Sequence, residues 1–208
     1  MRVLVACEES QAVTIELRML GHEAFSADIQ ECTGGHPEWH IKGDVLSIIN
    51  DNWDMIIAHP PCTYFANAGL HYLKTQEGRM DNLDKAFFFL KAIWSSNCKK
   101  IAIENPIGWL NTNWMKPSQI IQPYMFGHKE LKTTCLWLKG LPLLIDTNNV
   151  GKPEPIGFVI RKSGPNKGKR YNYYWRQGKN AKQRSKTFTG IAKAMASQWA
   201  GSINKGVE

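Results

Sequence analysis

The 208-residue chain is 43% hydrophobic and carries eight tryptophans, which excludes a disordered polymer and suits one well-buried domain rather than two. No apolar run approaches the roughly 20 residues of a membrane span, and Met1-Arg2-Val3-Leu4-Val5 enters a strand-like run directly, so a soluble, cytoplasmic protein is expected. The formal charge of +8 is concentrated: Gly151 to Lys186 holds eleven Lys and Arg against one acid, Glu154, while the remainder holds 15 basic and 17 acidic residues.

Arg2 to Cys7 (RVLVAC) reads as a buried parallel strand. Ser10 is placed to cap a helix from Gln11 to Leu20, with Val13, Leu17 and Leu20 on one face. Glu23 to Asp28 predicts a second strand, Ile29 to Trp39 a loop, and His40 to Val45 a short strand ending at Asp44. Trp53 to Ala58 is a further buried strand, followed by the loop HPPCTYFANAG. Asp81 to Cys98 is the clearest helix, with Leu83, Ala86, Phe87, Leu90 and Ile93 at helical spacing. Lys99 to Ile103 predicts a strand that opens into Glu104-Asn105-Pro106, and Thr134 to Leu138 another. Residues 151–184 form a basic, Gly-rich, irregular insertion, and 185–201 close the chain with a helix over Ile191 to Trp199. This alternation predicts an α/β fold with a doubly wound, mostly parallel sheet, in a single domain over 1–208.

The residues with chemistry fall at the carboxyl ends of the strands, where open parallel sheets collect ligands. Cys7, Glu8, Glu9 and Ser10 follow the first strand, Asp28 and Ile29 the second, and Asp44 and Val45 the third. An acid ending the second strand suits ribose hydroxyls and one ending the third an adenine amino group, so these eight residues are candidate contacts for an adenosine cofactor. The five cysteines form no C-x-x-C pair and are odd in number, so neither a zinc site nor a disulfide framework is expected. Cys62 differs in its setting: Pro60 and Pro61 remove two backbone donors and hold a rigid turn that presents one side chain. A thiolate there and a carboxyl at Glu104 suit covalent addition to carbon 6 of a cytosine, with the acid on ring nitrogen 3 if burial raises its pKa. Asn105 and Pro106 are read as support.

These segments resemble the cytosine-C5 DNA methyltransferases, and most closely the small phage- and prophage-encoded DNA cytosine methylases. HPPCTYFANAG resembles the family's Pro-Cys nucleophile loop and IENPIGW its Glu-Asn motif; QPYMFGHKELKTTCLWLKGLP and RSKTFTGIAKAMASQW resemble blocks of the phage branch. The resemblance implies a Rossmann-like class I methyltransferase fold, S-adenosylmethionine as cofactor, DNA as partner, Cys62 as nucleophile and Glu104 as acid. It also implies a closing helix near the cofactor, within Gly190 to Trp199, and a setting in the cytoplasm of a bacterial host.

Three departures stand out. Gln11 occupies a cofactor-loop position where glycine is comfortable. The Gln-x-Arg-x-Arg block of the larger enzymes is absent in clear form, QRSK at 183–186 being the nearest remnant. A long target-recognition domain is missing, which leaves the basic stretch, with Lys162, Lys167, Lys169, Arg170, Arg176, Lys179 and Arg184 among its aromatics, as the candidate nucleic-acid contact. Rival readings are a same-fold enzyme for a free pyrimidine nucleotide or RNA, an exocyclic-amine methyltransferase, and a catalytically silent DNA-binding protein.

Overall fold

Seven strands form one sheet in the order β3-β2-β1-β4-β5-β7-β6. The strands are β1 (Arg2–Ala6), β2 (Glu23–Asp28), β3 (His40–Lys42), β4 (Met55–Ala58), β5 (Ile101–Pro106), β6 (Gln119–Ile121) and β7 (Thr134–Lys139). The first five are parallel, and β7 runs antiparallel between β5 and β6. The computed structural model describes residues 1–174 and 186–203. The doubly wound, mostly parallel sheet expected from the sequence is the one observed. Among the described residues, no helix is long and apolar enough to cross a membrane.

Alternate residues of each central strand serve opposite faces, as the two-residue pleat requires. Val3, Val5, Met55 and Ile57 face one layer, where α1 (Ala12–Met19) and the closing helix α4 (Thr189–Trp199) bury Val13, Leu17, Ile191, Met195 and Trp199. Leu4, Ala6, Ile56 and Ala58 face the other, against Leu83, Leu90 and Ile93 of α2 (Arg79–Trp94) and Leu110 of α3 (Trp109–Asn113).

Several local expectations need correction. Ser10 does not cap α1: Gln11 takes the N-cap position without a side-chain capping bond, and Glu8 satisfies the helix end from below. The clearest helix runs from Arg79 to Trp94, not Asp81 to Cys98, and β3 stops at Lys42, two residues before Asp44. The fifth strand continues through Pro106, because Glu104, Asn105 and Pro106 pair with Leu136, Cys135 and Thr134 of the antiparallel β7. The insertion is not irregular throughout: it contains a hairpin of β8 (Gly157–Ile160) and β9 (Arg170–Tyr173).

Candidate active site

The chain reverses its direction of sheet growth between β1 and β4, and ligands of doubly wound folds bind at such a switch point. His59 leaves β4 there, its amide donating to the Ala6 carbonyl of β1 at 2.9 Å. The Pro60-Pro61-Cys62 turn follows and is tied to the neighbouring strand. Asn105 Nδ2 donates to the Pro60 carbonyl at 2.8 Å, and the Trp109 amide donates to the Phe65 carbonyl at 2.8 Å. Gly108 makes this approach possible, since a Cβ there would overlap the Phe65 carbonyl. Asn105 is 2% exposed, so its amide is a buried strut between the two candidate catalytic segments.

Cys62 is exposed at the end of this rigid turn. Partial desolvation raises its thiol pKa; the positive charge of Lys132 pulls it back down, and the charge of Glu104 pushes it up. Cys62 and Glu104 therefore lie within electrostatic reach of each other.

Glu104 is 14% exposed and His59 13%, and His59 Nδ1 sits 2.6 Å from Glu104 Oε2. The sequence expectation that burial would raise the Glu104 pKa needs correction. Burial does push upward, but the hydrogen bond and charge of His59, with Lys132 beyond, outweigh it and hold the carboxyl below its ordinary value. The same contact acts in reverse on the imidazole. Burial disfavours its charged form, yet the hydrogen bond and charge of Glu104, aided by Glu8, raise its pKa. The two shifts together favour a Glu104 carboxylate paired with a protonated His59. His59 Nε2 and Asn105 Oδ1 are buried without a hydrogen-bond partner among the described residues.

His59, Lys132 and Gly108 are the functional candidates that sequence reasoning missed. His59 had a signal, since it stands directly before the Pro-Pro-Cys turn. Lys132 had none in the local pattern: its position just ahead of β7 delivers it to the site only because β7 runs backwards. Its Nζ also donates to the Lys186 carbonyl at 3.2 Å.

The candidate cofactor residues divide. Cys7 has a left-handed backbone (φ 59°), and burial together with the charges of Asp28 and Asp44 pushes its thiol up to about 12. Those two carboxylates therefore converge on the end of β1, with Ile29, 75% exposed, following Asp28 in the chain. Each carboxylate also caps locally: Asp28 accepts from the Gln30 amide and Asp44 from the Leu46 amide, both at 2.9 Å. Glu8 requires correction as a cofactor contact. It is 3% exposed, and its carboxylate accepts from the Val13 amide at 2.7 Å, the Thr14 amide at 3.3 Å and the Thr14 hydroxyl at 2.7 Å. Glu8 is a helix anchor turned inward. Glu9 accepts from the Thr33 hydroxyl, Ser10 lies on the loop between them, and Val45 is buried.

Gln11 adopts the left-handed conformation that its position demands (φ 58°, ψ 18°) and is fully buried. That conformation costs a non-glycine residue about 1–2 kcal/mol. The side chain recovers it by donating to the His36 carbonyl at 2.8 Å and Ser26 Oγ at 3.2 Å and accepting from the His36 amide at 3.1 Å. At about 0.5–1.5 kcal/mol each, three such bonds offset the strain. Glutamine here clamps the 29–39 loop onto the β1–α1 loop.

No protein-family model matches the chain, and no curated protein does. Among solved structures it is similar to the Dnmt2 methyltransferase of S. pombe, with a TM-score of 0.48 and 16% identity over 69% of this chain and 52% of that one. It is also similar to a mutant DNMT2 of Spodoptera frugiperda, with a TM-score of 0.44 and 18% identity over 74% and 57%. The chain thus spans little more than half the length of either.

Chemically, the arrangement pairs an accessible thiol with a buried proton-holding dyad under the field of one lysine. Beside it, Asp28, Asp44 and Ile29 offer acceptors and apolar surface to a ligand bearing hydroxyls, an amino group and positive charge. S-adenosylmethionine is such a ligand, and this donor set fits it. The closing helix α4 packs on α1, the helix that follows the β1–α1 loop. Of the candidate nucleic-acid residues, Lys162, Lys167, Lys169 and Arg170 lie on the β8–β9 hairpin and its tip, whereas Arg176, Lys179 and Arg184 lie outside the described residues.

Proposed function

We propose that this chain transfers a methyl group from S-adenosylmethionine to carbon 5 of cytosine in DNA, with Cys62 as nucleophile and Glu104 as acid. The supporting observation is the strut of Asn105 and Gly108 that holds the Pro-Pro-Cys turn against the strand carrying Glu104. The Cys62 thiolate adds to carbon 6, and Lys132 favours the anion. Glu104 holds a proton at ring nitrogen 3, drawing on His59, so negative charge does not accumulate on the ring. Asp28 and Asp44 would hold the cofactor, which when bound would supply an electrophilic methyl group to carbon 5 and leave as S-adenosylhomocysteine. The carbon 5 proton then leaves to solvent, the sulfur–carbon 6 bond breaks, and the thiolate is regenerated. Concentration of basic charge in the C-terminal third supports a nucleic-acid substrate over a free nucleotide.

The test is a labelled-cofactor assay with duplex DNA, single-stranded DNA, RNA and dCMP, followed by nucleoside mass spectrometry. The expected product is 5-methylcytosine in DNA. Methylation on the exocyclic amine, or transfer that survives Cys62→Ala, overturns the proposal. Salt-dependent DNA binding without any cofactor binding would assign the chain to a silent DNA-binding role instead.

A further inference from the structure

We propose that the β8–β9 hairpin enters the major groove of duplex DNA and presents Arg170 and Asn172 to base edges. This rests on the DNA reading above and adds which form of nucleic acid is taken and which side chains read it.

Among the described residues, the hairpin pairs with no strand of the main sheet, and none covers either face: Ile156 is 61% exposed, Phe158 50%, Val159 55% and Ile160 57%. A two-stranded hairpin alone is marginal in water, and this one is held by its own cations lying over its own rings. The Arg170 guanidinium sits 4.0 Å from the centre of the Phe158 ring, and that of Arg161 5.2 Å from Tyr171. The Arg161 and Lys169 backbones extend the ribbon, with Arg161 N donating to Lys169 O at 3.1 Å.

Register fixes what each face offers. Phe158 pairs with Asn172 and Ile160 with Arg170, so these four share one face; Val159, Tyr171 and Tyr173 share the other. From Pro155 to Tyr174 the chain holds Arg161, Lys162, Lys167, Lys169 and Arg170 and no acid. That charge favours a polyanion over an apolar partner.

Size selects the polyanion. Paired strands about 4.8 Å apart, with side chains, make a ribbon that the roughly 12 Å major groove of B-DNA admits and the roughly 6 Å minor groove does not. The major groove of A-form RNA is too narrow for side chains to read. The exposed face then offers matched readers. Arginine pairs bidentately with guanine, asparagine with adenine, and apolar groups meet the thymine methyl. Arg170 Nε donates to Asn172 Oδ1 at 3.2 Å, which sets the two readers side by side.

The experiment selects bound duplexes from a randomised pool with the full chain, then measures affinity for the enriched sequence by fluorescence anisotropy. The same sequence is tested as single strand, as RNA duplex, and as duplex with 7-deazapurines, which lack the major-groove N7 acceptor. Circular dichroism and cofactor titration report the fold of each variant. The unmodified DNA duplex should bind best, and deaza substitution should weaken it about tenfold. Arg170→Ala with Asn172→Ala should abolish that sensitivity, whereas Arg170→Lys should keep most affinity while losing much of the sensitivity. No enrichment, indifference of the wild type to deaza substitution, or preference for RNA or single strands overturns the inference. Cytosine methylation that proceeds unchanged in the double variant overturns the arm and leaves the chemistry standing. Hairpin-dependent duplex binding without any methyl transfer does the reverse.

Discussion

The strand-end site and the β8–β9 hairpin solve opposite problems with the same kinds of residue. At the site, polar groups are buried and multiply tied: Asn105 braces the Pro-Pro-Cys turn, Glu8 anchors α1 from below, and Gln11 fastens one loop to another. On the hairpin, cations lie over exposed rings and both faces meet solvent. The difference teaches where rigidity is needed. Bond formation at a carbon tolerates little misplacement and calls for a locked frame. Contact with a polyanion tolerates an element that gains its cover on binding.

Breaking the locked frame should have the largest effects. Cys62→Ala removes the proposed nucleophile, and a radiolabel-transfer assay should fall to background while cofactor titration stays normal. Glu104→Gln should slow turnover by on the order of 10²–10⁴-fold, with the Cys62 adduct to 5-fluorocytosine DNA still detectable by gel shift but formed slowly. Ordinary turnover in that variant removes Glu104 from the mechanism.

The dyad makes a prediction with a sign. Glu104, held low, contributes stability above its ordinary value of 4.5 and loses it as pH falls through the folded value. His59, held high, contributes below its ordinary value of 6.5 and loses it as pH rises through the folded value. Both contributions are therefore complete between pH 4.5 and 6.5. The Tm difference between wild type and His59→Gln should be largest in that window and shrink on either side. Turnover in the variant should also lose the alkaline decline that deprotonation of the pair imposes. A Tm difference flat with pH would refute the proton-sharing pair.

Smaller effects sharpen the contrast from the hairpin side and from the loop clamp. Lys162, Lys167 and Lys169 replaced together by Ala should flatten the salt dependence of DNA binding by about two to three in log–log slope, without altering the Tm. Gln11→Gly relieves the left-handed strain but strands the His36 backbone groups, so a net loss of about 1–2 kcal/mol by urea unfolding is expected. A stabilised variant would mean that the clamp is weaker than the strain it opposes.

The central sheet was legible because strands such as RVLVA and MIIA are apolar runs of strand length, and an amphipathic helix separates the first strand from the second. The Cys62 and Glu104 segments were legible from their strand-end positions. The direction of the Glu104 shift was not, since it depends on His59, 45 residues earlier, at the end of the neighbouring strand. Glu8 misled because a carboxylate after the first strand looks the same in sequence whether it faces a ligand or a helix end. The hairpin was hidden by its composition: lysine, glycine and proline dominate its tip, and only the short GFVI and RYNY segments carry strand character.

The reversed course of β7 has a consequence for how the molecule comes into being. Glu104 is gripped between a strand made early in synthesis, β4, and one made some thirty residues after it, β7, whose approach also brings in Lys132. A nascent chain that has emerged only as far as β6 already contains the thiol and the carboxyl, yet it lacks the outer wall against which β5 is straightened. Ribosome-bound intermediates that lack β7 should therefore be inert, and competence should arrive only after that strand slots in.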